Sequence, residues 1–459
     1  MHVNIKKSAL LATTALGAAL VLLQAHPVGA TTLQEAVVQG ISNPEVREAE
    51  ANRRATDKEL REARGLYFPT VDLRGETGPE NADNINTRSR PLAPGDDTDR
   101  WLWRSDASIA ITQLLYDGNK TDNIVERQKA RVKAAASRVV ERSEFTALDV
   151  VQAYLDILRQ TELVRFAQNN VSAHQSTLND ILSRVRAGRS STADQRQSEN
   201  RLTVAQTDLV NAQQKLDDAR TTYLRLVRQE PTGLTRPILP AAAIPKSEDE
   251  AIRRTLSTNP SIGVADLDYQ AAVADSKAAE APFLPRLDLE VVGSRGKNIG
   301  GVTGSDNDLT VLLVAKWNLY SGGSDTARLG AARERVNEAQ DRENRLRLTA
   351  TEEARKSWTA MVRQRELAAK LKDRVTASQG VLDAYRQQFN VGRRDLLDVL
   401  DAQNDVYAAK VASLTADYSA QFAAYRTLAV AGGLLAALDV SAPSEAAGGR
   451  VQLKPEMPK

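Results

Sequence analysis

An ordered set of sequence marks occurs twice along this chain, and that duplication constrains the fold more than any other feature. Asn43-Pro44 recurs as Asn259-Pro260, and Pro69-Thr-Val-Asp-Leu73 recurs as Pro285-Arg-Leu-Asp-Leu289, both offset by 216 positions. Leu115-Tyr116-Asp117-Gly118 then recurs as Leu319-Tyr320-Ser321-Gly322 at an offset of 204, which Gly188/Gly392 and Asp194/Asp398 keep. The fold must therefore place two copies of one structural unit.

The change of offset falls between Leu73 and Leu115, so the length difference sits in Gly75 to Arg104 against Gly293 to Asp308. Both stretches are rich in Gly, Asn and Asp, as expected of surface loops that tolerate insertions. Each is flanked by alternating runs. Leu309, Val311, Leu313, Ala315, Trp317 and Leu319 form one apolar face, and Ala107, Ile109, Ile111 and Leu115 form another, shared with Gln113. Val71 to Thr77 and Leu287 to Gly293 alternate too, with Asp72, Arg74, Asp288 and Glu290 on the polar side. Period-two patterning predicts strands with one apolar face. That face would be core in a soluble sandwich and would meet lipid in an outer-membrane barrel, and periodicity does not separate the two.

Each second strand is followed by a long helical pattern, from about Thr121 to Arg186 and from about Asp325 to Asn390, without Pro and almost without Gly. At 1.5 Å per residue, ~65 residues make a rod of about 100 Å. Gly188 and Gly392 break the pattern, and a shorter helix follows each. In the first, Leu202, Ala205, Leu209, Ala212, Leu216, Ala219, Tyr223 and Leu226 alternate steps of three and four; in the second, Tyr407, Val411, Leu414, Tyr418 and Tyr425 do so, with polar Gln421 in the stripe. Such stripes predict coiled-coil packing. Rods this thin cannot bury both flanks within one protomer. Four strands are also fewer than the eight usually needed to close a barrel. Both features call for an oligomer.

Lys6 and Lys7, an apolar run from Ala9 to Leu23 and the exit Val28-Gly29-Ala30 describe a secretory signal peptide, with cleavage expected after Ala30. Removing those two lysines takes the net charge from +2 to zero, which gives no electrostatic footprint for nucleic acid. The chain has no Cys, so disulfides, thiolate metal sites and an acylated N-terminal Cys are excluded. Of three His only His174 lies beyond the signal, and it reads as a surface or helix-contact residue rather than a ligand. No phosphate loop, Gly-x-Ser-x-Gly or His-Glu-x-x-His motif occurs, so no catalysis and no cofactor are expected. Trp101, Trp103 and Trp317 flank the strands and are candidates for an interfacial aromatic belt.

The signal peptide, the duplicated strand-loop-strand-coiled-coil unit and the paired Asn-Pro and Leu-Tyr-x-Gly marks together resemble the TolC family of outer-membrane efflux proteins. The most specific stretch is Phe389-Asn-Val-Gly392-Arg-Arg394-Asp-Leu-Leu-Asp398-Val-Leu-Asp401-Ala402-Gln403, which is similar to the family's helix turn at the periplasmic tip. The resemblance implies a mainly α fold with β: antiparallel coiled-coil hairpins forming an α-barrel, plus four strands per protomer in a twelve-stranded trimeric transmembrane β-barrel. It implies that Asp398 and Asp401 ring the periplasmic aperture. It also implies that Asp194, Phe389 and Arg394 belong to a gate latch, and that Gly188 and Gly392 mark the hairpin tips where an adaptor docks. The family's prototype carries Tyr where Phe389 stands, so that hydroxyl contact is lost here. Bottom-up, Asp398 and Asp401 share a helix face, and three-fold symmetry would make them two carboxylate rings. They also suit the first turn of any helix, favoured by its dipole.

The expected organisation is a signal peptide at 1–30, a first repeat at 31–227, an equatorial connector at 228–257, a second repeat at 258–435 and an equatorial or disordered tail at 436–459. The expected function is an exit duct of the Gram-negative outer membrane with its helical tunnel in the periplasm. It would be a passive homotrimeric conduit for type I protein secretion or efflux, working with outer-membrane lipid, a periplasmic adaptor and an inner-membrane ABC or proton-driven transporter. The alternative is a periplasmic coiled-coil scaffold without a pore.

Overall fold

The computed structural model describes residues 31–89 and 101–448. The expected signal peptide, residues 90–100 of the first loop and the tail beyond residue 448 lie outside the described residues. Each repeat runs helix, strand, strand, long helix, shorter helix. The first contains α1 (Leu33–Gly40), α2 (Pro44–Gly65), β1 (Thr70–Asn81), the single turn α3 (Ile85–Arg88), β2 (Trp101–Tyr116), α4 (Lys120–Arg186) and α5 (Thr192–Val227). The second contains α6 (Glu248–Thr258), α7 (Pro260–Ala278), β3 (Arg286–Lys297), β4 (Ser305–Lys316), α8 (Ser324–Asn390) and α9 (Leu396–Val430), followed by α10 (Leu434–Ala437).

The long helices α4 and α8 have 67 residues each, about 100 Å of rod. No single partner covers that length. α5 packs along the half of α4 nearer the tip and α2 along the half nearer the strands; α9 and α7 do the same for α8. The repeated Asn-Pro pairs make the joints. Asn43 is the N-cap of α2, accepting from Glu45 N, while Pro44 supplies a fixed φ and lacks an N–H that would go unpaired there. The Asn43 amide also donates to Leu226 O at 3.4 Å, at the end of α5. Asn259 accepts from Ser261 N and Ile262 N at the start of α7 and donates to Val430 O of α9 at 2.8 Å. One side chain thus serves the orphan donors of one helix and an orphan acceptor of the next. At the second joint Gly432, at φ +68°, is so close to Pro260 Cδ and Thr258 O (2.7 Å each from a built Cβ) that no side chain fits.

The main core lies at the equator, where α1, α4, α5, α9 and α10 converge on Tyr154, Tyr223, Tyr425, Leu434 and Leu435. The Tyr154 hydroxyl accepts from Thr235 N and lies 2.9 and 2.7 Å from the carbonyls of Thr31 and Thr235. Burial, followed by the neighbouring Tyr154, pushes the Tyr223 and Tyr425 phenols up to about 12. The α5 stripe is buried or half-buried throughout, as its spacing predicts. Gln421, the polar member of the α9 stripe, is satisfied by Arg236 of the connector when its amide oxygen faces that guanidinium, at 2.6 and 2.8 Å. Val210 and Leu348 stay exposed on the outer flanks of α5 and α8.

The four strands form one antiparallel meander in the order β1-β2-β3-β4. Val71, Ile111, Val291 and Val311 form a single cross-strand row, and Leu73, Ile109, Gly293 and Leu309 form the next. This face is apolar and nothing among the described residues covers it: Leu73 is 81% exposed and Leu309 75%. The opposite face carries ion pairs. Arg104 lies within 3.3 Å of Glu80 and 3.8 Å of Glu76, and Lys316 lies 3.3 Å from Glu290. A soluble sandwich would bury the apolar face, which here lies bare. Trp101 and Trp103 stand exposed at the hairpin end of the apolar face, while exposed Trp317 and Tyr320 follow β4 at the helical end. Two aromatic positions a strand-length apart fit an interfacial belt.

Three features differ from the sequence expectations. The strands extend further into the loops, because Gly75, Gly78, Pro79 and Gly296 are accommodated within β1 and β3; Pro79 lies on the edge strand, where a missing donor is tolerated. β4 ends at Lys316, so Trp317 and Leu319 fall beyond it. Helices α2 and α7, which precede the strands, were not expected, although Asn-Pro is an N-cap and first-position pair. Residues of the tail up to 448 pack at the equator, where Gln34 donates to Asp439 O and Arg54 pairs with Glu445.

Candidate functional site: the helical tips

At the end of the molecule away from the strands, both hairpins turn by the same chemistry. Gly188 and Gly392 adopt φ of +70° and +74°. Arg189 N donates to Arg184 O at 2.8 Å and Gly188 N to Val185 O at 3.0 Å; Arg393 N donates to Gln388 O at 2.8 Å and Gly392 N to Phe389 O at 3.0 Å. This doubled closure needs a left-handed residue after the helix, which explains glycine at both positions.

The helices leaving these turns differ in one residue that matters. Asp194 and Asp398 both occupy the third position of their helices. In α5 the N-cap is Ser191, whose hydroxyl accepts from Asp194 N while the Asp194 carboxylate accepts from Ser191 N at 2.9 Å. Ser190 Oγ adds a third contact at 2.7 Å. Those contacts, the Ser191 backbone bond first, hold the Asp194 carboxyl below its usual range. In α9 the N-cap is Asp395, which makes no side-chain cap. Asp398 instead takes Arg394 Nη1 at 3.3 Å. Arg394 is fixed further by Gln388 Oε1 at 3.1 Å and by the Tyr385 ring, 4.0 Å from its guanidinium carbon.

Asp194 and Arg394, expected together in the latch, each find partners within their own hairpin and do not meet in this protomer. Other residues join the hairpins. Arg201 of α5 pairs with Asp401 of α9. Arg184 of α4 donates to Asn390 Oδ1 at 2.9 Å and stacks on the Phe389 ring, 4.6 Å from its centroid. Gln403 Nε2 donates to Thr177 Oγ1 at 3.0 Å. Phe389, like Val185, also packs against the buried cluster of Ile181, Leu396 and Leu400, so where a phenol is absent the ring itself makes the cross-hairpin contact. His174 is buried near this region, and burial, then the charge of Arg201, lowers its pKa. No cluster of His, Cys, Asp or Glu that could hold a metal ion occurs among the described residues.

A two-fold repeat of coiled-coil hairpins, a four-stranded meander with a bare apolar face and a paired set of glycine tips narrow the comparison with known proteins. The family described as outer membrane efflux protein matches residues 40–227 and 251–433, most of the chain. This chain belongs to that family. It is 26% identical over 407 residues to the outer membrane efflux protein BepC of Brucella suis biovar 1 (strain 1330), covering 88% of this chain and 86% of BepC. It is 23% identical over 404 residues to the outer membrane protein TolC of Escherichia coli (strain K12), covering 83% and 77%. Its fold matches the outer-membrane channel OprN with a TM-score of 0.75 at 22% identity, over 87% of this chain and 90% of that one.

Efflux-family membership gives the molecule its setting: an outer-membrane channel with long helices in the periplasm and strands that contribute to a barrel, and not an enzyme. No helix among the described residues is long and apolar enough to cross a membrane. Within this frame, sequence reasoning found the tip turns and the acidic face of α9 but missed Arg201, Arg184 and Gln403. Their contacts depend on the register between two hairpins some 200 residues apart, which no local pattern reports.

Proposed function

We propose that three copies of this chain form the passive exit duct of a tripartite export system, with a periplasmic adaptor and an inner-membrane ABC or proton-driven pump supplying selection and energy. The observation carrying this reading is the meander's topology. Among the described residues its apolar face is uncovered and both edges are open, and β1 runs antiparallel to β4, so β4 of one copy can continue into β1 of the next without breaking the antiparallel pattern. Three copies give twelve strands, an even number as such barrels require. A scaffold without a pore would have no use for a bare lipid-compatible face.

In this reading the tips are the gate. Arg201–Asp401, which joins the two hairpins, is a partly exposed pair, and such a pair contributes about 0–1 kcal/mol. A latch of that strength holds by three-fold repetition and yields to a docking partner. The groove between α4, α8 and α9, lined by Lys372, Gln379, Arg386 and Lys410, extends from the tips towards the equator and suits an adaptor hairpin. Asp398 and Asp401 would ring the aperture. Replacing both with Ala is expected to abolish block by trivalent cations in planar-bilayer recordings; unchanged block would remove them from the aperture. Type I secretion and small-molecule efflux are separated by comparing the exported proteins and the drug susceptibility of a strain lacking the chain.

A further inference from the structure

Above the strands, away from the helices, the described loop residues 82–89 and 298–304 lie against the sheet and against each other. Glu80, Arg104, Asp106 and Gly296 lie on the charged face of the sheet, opposite the exposed Trp101 and Trp103. The turn Ile299–Gly301 folds back over that charged face. A Cβ built on Gly296 would overlap the Ile299 side chain, and the same Cβ position lies 3.4 Å from Asp106 Oδ1. Gly300 N donates to Glu80 Oε2 at 2.9 Å, and Asn298 Nδ2 donates to Trp103 O at 3.0 Å. Leu102, on the same face, is only 8% exposed.

The two loops also hold each other. Asn84 caps α3 and donates through Nδ2 to Gly300 O at 2.8 Å. Gly301, at φ +78°, is packed so tightly that an added Cβ would come within 2.7 Å of Thr87 Cγ2 and 3.1 Å of Ala82 O. Asn298, Gly300 and Gly301 all take positive φ, so the turn is committed to a shape that only such residues adopt readily.

We propose that residues 82–89 and 298–304 form an inward-folded collar that narrows the outer mouth of the channel, a size filter separate from the helical tip. The inference rests on the barrel reading, in which the charged face is the lumen. Twelve strands ~4.8 Å apart and tilted by ~40° enclose a bore of about 24 Å between backbones. A segment packed by side chains on a sheet face stands up to ~10 Å off it. Three such collars leave little of the mouth open, and cargo must displace them or be narrow enough to thread between them.

The absence of Cys from the chain allows a test that does not depend on the state of the tip. Thr112 lies on the charged face, paired with Thr70 and Glu290, deeper in the barrel than the collar. A Thr112→Cys chain in intact cells would be treated from outside with maleimide and with maleimide-capped polyethylene glycols of increasing mass. Small maleimide is expected to react while larger polymers are excluded. Adding Gly296→Val, which evicts Ile299, or the milder pair Asn84→Ala and Ile299→Gly, is expected to shift the cut-off to larger polymers. An identical cut-off with and without the collar variants would overturn the collar. Failure of small maleimide to react in any variant, with the protein present in the membrane, would overturn the barrel reading beneath it.

Discussion

His174 is the one imidazole in the described residues, and it is buried at 4% exposure with no partner for Nδ1 among them. Burial and then Arg201 favour its neutral form. A base whose folded pKa is depressed is protonated more readily unfolded, so its stabilising contribution is intact above the unfolded value of about 6.5 and is lost as pH falls towards the folded value. Once the intrinsic pH dependence of amide exchange is divided out, protection around residues 170–182 is therefore expected to fall as pH drops from about 7.5 to about 5, and His174→Leu to flatten that dependence. An equal slope in both proteins would show that His174 is not the group responsible. The sequence left His174 either on the surface or at a helix contact; the structure buries it, and which helices meet there was not legible. The same limit separates Asp194 from Asp398: they are repeat equivalents, yet Ser191 closes a box on one while Asp395 leaves the other to Arg394. Residue type identified the tip; only the three-dimensional register assigned partners.

At the scale of elements, the long helices were legible to within a residue, because unbroken helical patterns ending in glycine have few alternative structures. Strand ends were less legible. Gly and Pro signal loops locally, but cross-strand pairing carries β1 through Gly75, Gly78 and Pro79. The helix joints were visible as a repeat and not as a mechanism. They make a graded prediction. Asn259 spans its joint at 2.8 Å and Asn43 at 3.4 Å. Asn259→Ala is expected to cost about 1–2 kcal/mol in chemical denaturation, and Asn43→Ala less, since both lose a cap but only the first loses a short bond across the joint. The reverse order would contradict the assigned role. Gly432→Val, forced against Pro260 and Thr258 O, is expected to be worse than either.

For the whole molecule, the amount of apolar surface left bare is the governing fact. Val71, Leu73, Val311 and Leu313 on the strands and Val210 and Leu348 on the helices remain exposed in a single chain. Exposed apolar patches of that extent mark an interface or a membrane surface. Strand alternation alone allowed a sandwich or a barrel; the uncovered face and the open edges favour the barrel. The most direct test of closure joins β1 of one copy to β4 of another. Within one chain these strands are separated by β2 and β3, about 14 Å apart, beyond the ~7 Å reach of a disulfide. Leu73→Cys combined in turn with Leu309→Cys, Val311→Cys, Leu313→Cys and Ala315→Cys, in an otherwise cysteine-free chain, would be oxidised in membranes and run without reductant. A ladder ending at three chains is expected for at least one register. No interchain product at any register, or ladders that continue beyond three, would contradict a cylinder completed by three copies.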